Sequence, residues 1–189
     1  MKKIVIRFNA PVILTFALLS LLALLLGNWT NGATTYQYFS VYRASLSDPL
    51  TYVRFFGHVL GHADYEHYMS NMLLILLVGP GLEEKYGSGT MVWTIALTAL
   101  ITGLVHFVLF PNTVLLGASG VVFMMIVLSS FTAMRRGEIP VTLILVVIFY
   151  LGGEIMDGLF KQDSISQITH IVGGLCGLVF GFTIRRGRR

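Results

Sequence analysis

The stretch Leu115-Leu116-Gly117-Ala118-Ser119-Gly120-Val121-Val122-Phe123 decides how the rest of the chain is read. A serine with glycine two residues before it and directly after it opens a long apolar run. Small neighbours let other groups approach its hydroxyl closely. If a helix begins near Ser119, its first backbone N–H groups have no intrahelical acceptors and can face an anion. The bland reading is a helix N-cap, a position that serine favours. The functional reading needs company, and the sequence offers it in His170, alone in another apolar run with Gly173, Gly177 and Gly181 behind it.

The composition sets the medium around this serine. Of 189 residues, 55% are hydrophobic and only 12% charged, with a mean hydropathy of +0.78. A soluble domain carries about 25% charged residues. The expectation is an all-α integral membrane protein forming one domain over 1–189. The net charge of +4 does not indicate nucleic acid, because the basic residues sit at the ends of apolar runs rather than in a stripe with aromatics. Cys176 is the only cysteine, so no intrachain disulfide can form.

Hydropathy and breakers predict six spans at about 10–27, 67–84, 91–110, 119–134, 140–160 and 168–184. Lys2, Lys3 and Arg7 before the first span could mark a signal peptide, but Gly27-Asn28-Trp29-Thr30 reads as a helix end with an interfacial tryptophan. Residues 28–66 hold nine tyrosines, phenylalanines and tryptophans with Arg43 and Arg54 among them. That mixture suits a long first loop lying partly in the headgroup region. Val114 to Ala118 is too short to span and is expected to dip inward, which is tolerated only where protein or water covers it.

Six spans put both termini on one side. Ten of the 13 Lys and Arg residues fall there, and only Arg43, Arg54 and Lys161 fall on the other. The positive-inside rule makes the terminal side cytoplasmic. His67, Asn71, Ser119 and His170 then lie at similar depth, near helix starts that face outward. Polar groups at membrane depth are costly and are functional candidates by default. Glycines at four-residue spacing make a flat face for close helix packing, and the face of Gly173 and Gly177 also carries His170. A neutral histidine there can take the Ser119 proton and return it to a leaving amine. Such a pair requires a hydroxyl-to-imidazole approach of roughly 2.6–3.2 Å, looser without substrate. The oxyanion of serine attack needs preorganised donors, and the Ser119 N–H is one. His67 and Asn71, at i and i+4, share a helix face. On spacing alone they are either oxyanion donors or polar glue between helices worth ~1 kcal/mol each.

The motifs Gly117-x-Ser119-Gly120, His170-x-x-Gly173-x-x-x-Gly177, His62-x4-His67-x3-Asn71 and Glu83-x3-Gly87, with Arg54 in the aromatic loop, together resemble the rhomboid intramembrane serine proteases. The likeness is to the compact bacterial GlpG type without a soluble amino-terminal domain, and it covers Ala10 to Arg186. The resemblance implies a six-transmembrane-helix rhomboid bundle with a partly membrane-inserted first loop. It implies Ser119 as nucleophile and His170 as general base in a dyad without a carboxylate. It also implies an oxyanion hole of Asn71, His67 and the Ser119 N–H, supported by Gly117, Gly120, Phe123, Gly173 and Gly177. Glu83 is implied as a structural residue at the cytoplasmic helix ends, His62 as structural or near the water entry, and Lys161 to Gln167 with the end of the fifth span as gate and cap. The partners implied are transmembrane protein substrates in the lipid bilayer of a bacterial cytoplasmic membrane, with no cofactor, no metal and no nucleic acid. Two departures stand out. Val53 precedes Arg54 where the family often has tryptophan, and Phe123 stands where it usually has tyrosine, so no hydroxyl can reach His170 from there.

The rivals are weaker. No His-Glu-x-x-His appears, and a pair of membrane aspartates is missing. A small transporter or channel would explain six spans, but the sequence has no repeat and its polar groups gather at one side. A non-catalytic rhomboid-like binder of membrane proteins would not need both Ser119 and His170.

Overall fold

In the computed structural model the described residues are 8–132, 138–151 and 164–184. They are helical, with no β-strand among them. The elements are α1 (Pro11–Trp29), α2 (Ala33–Tyr38), α3 (Pro49–Gly57) and a 3-10 turn (His58–Leu60). Next come α4 (Tyr65–Tyr86), α5 (Ser88–Leu109) and α6 (Ser119–Ser129). The last are α7 (Val141–Val146), a π turn (Val147–Leu151) and α8 (Ser164–Thr183). The Arg135-Arg136-Gly137 turn, the far end of the fifth span with Glu154 and Asp157, and most of the gate-and-cap segment lie outside the described residues.

Among the described residues two helices, α1 and α5, are long and apolar enough to cross a membrane by length and composition, with hydropathies of 2.2 and 2.0. α6 and the Gln167–Thr183 portion of α8 are apolar but shorter. Both tryptophans, Trp29 near the end of α1 and Trp93 near the start of α5, are exposed, as suits interfacial anchors.

α6 is the centre. Every residue from Gly120 to Leu128 is buried, the pattern of a helix that is hydrophobic all round and enclosed by others. α8 lies along it, and glycine is what lets it come so close. A methyl group on Gly173 would strike the carbonyl oxygen of Gly120, and one on Gly177 would sit 2.5 Å from the Met124 oxygen. α4 and α5 pack on other faces of α6, and α1 packs on α4.

The first loop has regular structure of its own. It folds into α2, α3 and the 3-10 turn, because backbone polar groups near a membrane must be satisfied internally. Arg54 ties it together. Its Nε donates to Gln37 O at 2.9 Å, its Nη1 to Asp48 Oδ2 at 3.1 Å, and its guanidinium lies over the Tyr42 ring. Arg54 anchors the loop with Val53 beside it exposed.

At the opposite end, Glu83 joins three helices. Its carboxylate accepts from Val12 N and Ile13 N at the start of α1 and from Ser88 Oγ at the start of α5. A carboxylate is favourable at a helix N-terminus, and Glu83 is buried there. Glu83→Ala leaves those donors without their acceptor. It is expected to lower stability by ~3 kcal/mol, since each hydrogen bond to a charged group contributes about 1.5–3 kcal/mol. Thermal denaturation in detergent would register this as a lowered midpoint, and Glu83→Gln should lose less.

Candidate active site

α6 begins at Ser119, and its N-cap position falls on Ala118, with no side-chain capping bond. The first-turn amides of Ser119, Gly120 and Val121 therefore precede the intrahelical ladder, which begins with Val122 N donating to Ala118 O at 2.9 Å.

The approach to Ser119 is held by backbone pairing. Val41 and Leu115 form an isolated antiparallel bridge, with both N–H···O distances 2.8 Å, and Gly117 N donates to His58 O at 3.0 Å. Three backbone hydrogen bonds thus tie this approach to the first loop. Gly117 has φ +121°, a value that side chains resist. A Cβ there would also lie 2.8 Å from the His67 ring. Gly117 is required twice over, for its backbone angle and for room.

His67 therefore sits against the turn that delivers Ser119. Asp64 caps α4 by accepting from His67 N at 2.7 Å. One turn on, buried Asn71 donates from Nδ2 to His67 O at 2.8 Å. An amide nitrogen carries two hydrogens, so one donor of Asn71 is occupied by its own helix and the second is not used in that bond.

On the other side stands α8. A Cβ on Gly120 would touch Thr169 Cγ2 at 3.3 Å and Thr102 Cγ2 at 3.1 Å. The rings of Phe123 and His170 stack, with centroids 4.3 Å apart and planes 8° from parallel. Ser119 is one residue before Gly120 and one helical turn before Phe123, so the first turn of α6 lies beside His170. His67 and His170 are also near enough for a charge on one to be felt by the other. Gly117, Ser119, Gly120, Phe123, His67, Asn71, His170 and Gly173 thus come from three helices to one region.

A layer of histidines behind this region is less legible in sequence. His58 supplies the carbonyl that holds Gly117, and its Nε2 lies 3.3 Å from Thr102 Oγ1. His62 packs edge-on against His67, with centroids 5.0 Å apart, and against Tyr68. Its Nδ1 faces Leu60 O at 3.2 Å. The spacing His58-x3-His62-x4-His67 was the available signal, but it does not show which of the three faces the serine.

Burial pushes His58 and His62 down from 6.5 to about 4, and the neighbouring charges of His106 and His67 respectively push the same way. Both are neutral at pH 7. Between about pH 6.5 and 4 the unfolded chain binds protons that the folded chain refuses. Their contribution to stability is therefore complete above about pH 6.5 and falls as pH drops toward 4, by ~3 kcal/mol for each group. The melting midpoint in detergent should fall between pH 7.5 and pH 5, and His62→Gln should flatten part of that slope.

The Rhomboid domain family model matches residues 49–187, which contain every residue of this region. Rhomboid-related protein 1 of Caenorhabditis elegans is 32% identical over 144 residues, covering 69% of this chain and 39% of that protein. Rhomboid-related protein 2 of Mus musculus is 27% identical over 173 residues, covering 78% of this chain and 56% of its own. The chloroplastic Rhomboid-like protein 11 of Arabidopsis thaliana is 24% identical over 132 residues, covering 62% and 47%. The chain spans from about two-fifths to just over half the length of these relatives. With its matched segment, its apolar helices and its glycine-packed α6 and α8, the chain belongs to the rhomboid family of membrane proteins.

Proposed function

We propose that this protein is an intramembrane serine endopeptidase that cleaves transmembrane segments of membrane proteins near the outer face of a bacterial cytoplasmic membrane. The observation that carries this reading is the Phe123–His170 stack, one turn from Ser119. Stacking on Phe123 fixes the plane of the His170 ring beside the first turn of α6, the position from which an imidazole can serve the Ser119 hydroxyl. His170 takes the Ser119 proton, and the serine oxygen attacks the peptide carbonyl. The developing oxyanion is met by the Ser119 N–H at the helix start, the second Asn71 hydrogen and the His67 ring. The proton passes to the leaving amine, and water entering from the outer side clears the acyl-enzyme. Stacking on Phe123 orients His170 where other serine proteases use a carboxylate.

The arrangement around this chemistry is six spans in one domain. α1, α4, α5, α6 and α8 are five of them, and α7 begins the sixth. Both termini face the cytoplasm, by the distribution of Lys and Arg. Substrates are single-span proteins whose helix is weakened near the cleaved bond, because a helical peptide bond hides its carbonyl and helix-breaking residues expose it.

Purified protein in liposomes with a single-span reporter tests this. The expected outcome is two fragments whose masses sum to the reporter plus one water, with slower cleavage when leucines replace helix-weakening residues at the site. Ion or solute flux without fragments would instead establish a transporter.

A further inference from the structure

α4 opens on Ala63-Asp64-Tyr65-Glu66-His67, with aspartate at the N-cap and histidine at the third helical position. Asp64 Oδ1 accepts from His67 N at 2.7 Å. That is one half of a capping box. In the usual other half, a glutamate or glutamine at the third position reaches back to a backbone N–H before the helix. Here a histidine takes that part and reaches one residue further. Ala63 N donates to His67 Nδ1 in a long hydrogen bond of 3.5 Å.

The contact with Gly117 orients the ring the same way. A Cβ on Gly117 would lie 2.8 Å from both Cε1 and Nε2 of His67 but 4.0 Å from Nδ1. The Nδ1 edge therefore faces the capping turn, and the Cε1–Nε2 edge faces the turn that delivers Ser119. A half-rotation of the ring would exchange Nδ1 for Cδ2 and take the acceptor away from Ala63 N. His62 steadies the plane, edge-on to His67 with centroids 5.0 Å apart. It is itself buried, with Nδ1 placed to donate to Leu60 O at 3.2 Å. The donor at Ala63 also decides where the His67 hydrogen sits. A backbone N–H only donates, so Nδ1 must accept. In an imidazolium, or in a neutral ring with its hydrogen on Nδ1, two donors would meet. The bond is compatible only with the neutral ring that carries its hydrogen on Nε2.

We propose that Ala63 and Asp64 are positioning residues for His67: their capping turn fixes its ring as the Nε2–H tautomer and aims that N–H at the oxyanion formed when Ser119 attacks. Asp64 holds the turn closed through His67 N, and the Ala63 amide selects the tautomer through Nδ1. Neither residue touches substrate. The start of α4 thus satisfies its own orphan donors and prepares a donor for the site with one set of contacts. The proposal deepens the protease reading. It rests on that reading for the use of the Nε2 hydrogen, and on the capping turn alone for its place.

The test is ¹⁵N NMR of full-length protein with labelled histidine, in detergent at neutral pH. A ring nitrogen that bears hydrogen and one that does not differ widely in shift, and His67→Gln identifies the His67 signals. The expected spectrum has hydrogen on Nε2 and a bare Nδ1. Ala63→Pro removes the selecting donor. Asp64→Ala opens the turn while keeping every backbone N–H, and serves if the proline variant does not fold. Either should give a mixture of tautomers. Either should also lower kcat by about tenfold, less than the roughly 10²–10³ of deleting an oxyanion donor outright, with KM changed less than about twofold. Asp64→Asn keeps an acceptor for His67 N and should restore both spectrum and rate. Hydrogen on His67 Nδ1 in the wild type overturns the proposal. So does a folded Asp64→Ala protein that slows while its His67 signals stay unchanged. The tautomer is read without substrate, so the two readings fail separately. A protein that shows it and cleaves nothing overturns the protease reading alone, and a cleaving enzyme with hydrogen on Nδ1 overturns this proposal alone.

Discussion

Ser119→Ala should reduce cleavage of a transmembrane reporter by about 10⁴-fold or more, and His170→Ala should do nearly the same. The double variant should be no worse than either single one. Nucleophile and base act as a unit, because a serine hydroxyl that cannot lose its proton is a weak nucleophile and an imidazole without the hydroxyl has nothing to activate. If the two losses multiply instead, the residues act independently and the dyad is wrong. The melting midpoints should stay close to wild type, since neither change removes a helix-packing glycine. Asn71→Ala should be milder, about 10²–10³-fold, because the Ser119 N–H at the helix start remains.

Gly173→Val should be nearly as damaging for a different reason. The α6–α8 seam passes the Gly120 carbonyl at the place where any side chain on residue 173 would begin. Backbone cannot rotate away as a side chain can, so α8 must move outward. Overpacking costs about 1–3 kcal/mol in ordinary cores, and this site should lie at or above the top of that range. His170 sits one turn away on the same helix, and a misplacement of about 1 Å at a catalytic group lowers rate roughly 10²-fold. Stability and kcat should therefore fall together. Leu175→Val, on the exposed side of α8, should change neither, which separates seam geometry from helix propensity.

These two residues also show how far the sequence could be read. The start of α6 at Ser119 was legible because an apolar run opens there between two glycines. The family was legible because four weak motifs stand in order along the chain. The packing use of Gly173 followed from its spacing to Gly177. The interior of the first loop was not legible. Its helices are short and mixed in composition, and what holds them is tertiary. Arg54 reaches across 17 residues to Gln37, and Val41 pairs with Leu115, and neither contact has a local signature. The roles of the histidines divided in the same way. His67 and Asn71 could be put on one helix face by their i, i+4 spacing. That His67 packs against Gly117 depends on a left-handed φ, which no periodicity reveals. Phe123 was readable as an aromatic one turn past the serine, and the parallel stack on His170 shows what it does in place of a hydroxyl contact.

The most direct test of the central claim is covalent. Wild-type protein treated with a fluorophosphonate and digested should carry the phosphonyl adduct on the peptide containing Ser119, at that residue and no other serine. His170→Ala should remain unlabelled under the same conditions, because the probe reports an activated hydroxyl and not merely an accessible one. Adduct on Ser119 of the wild type alone is what a Ser119–His170 pair predicts. Equal labelling of His170→Ala, or no labelling of a folded wild type that still cleaves its substrate, would contradict it.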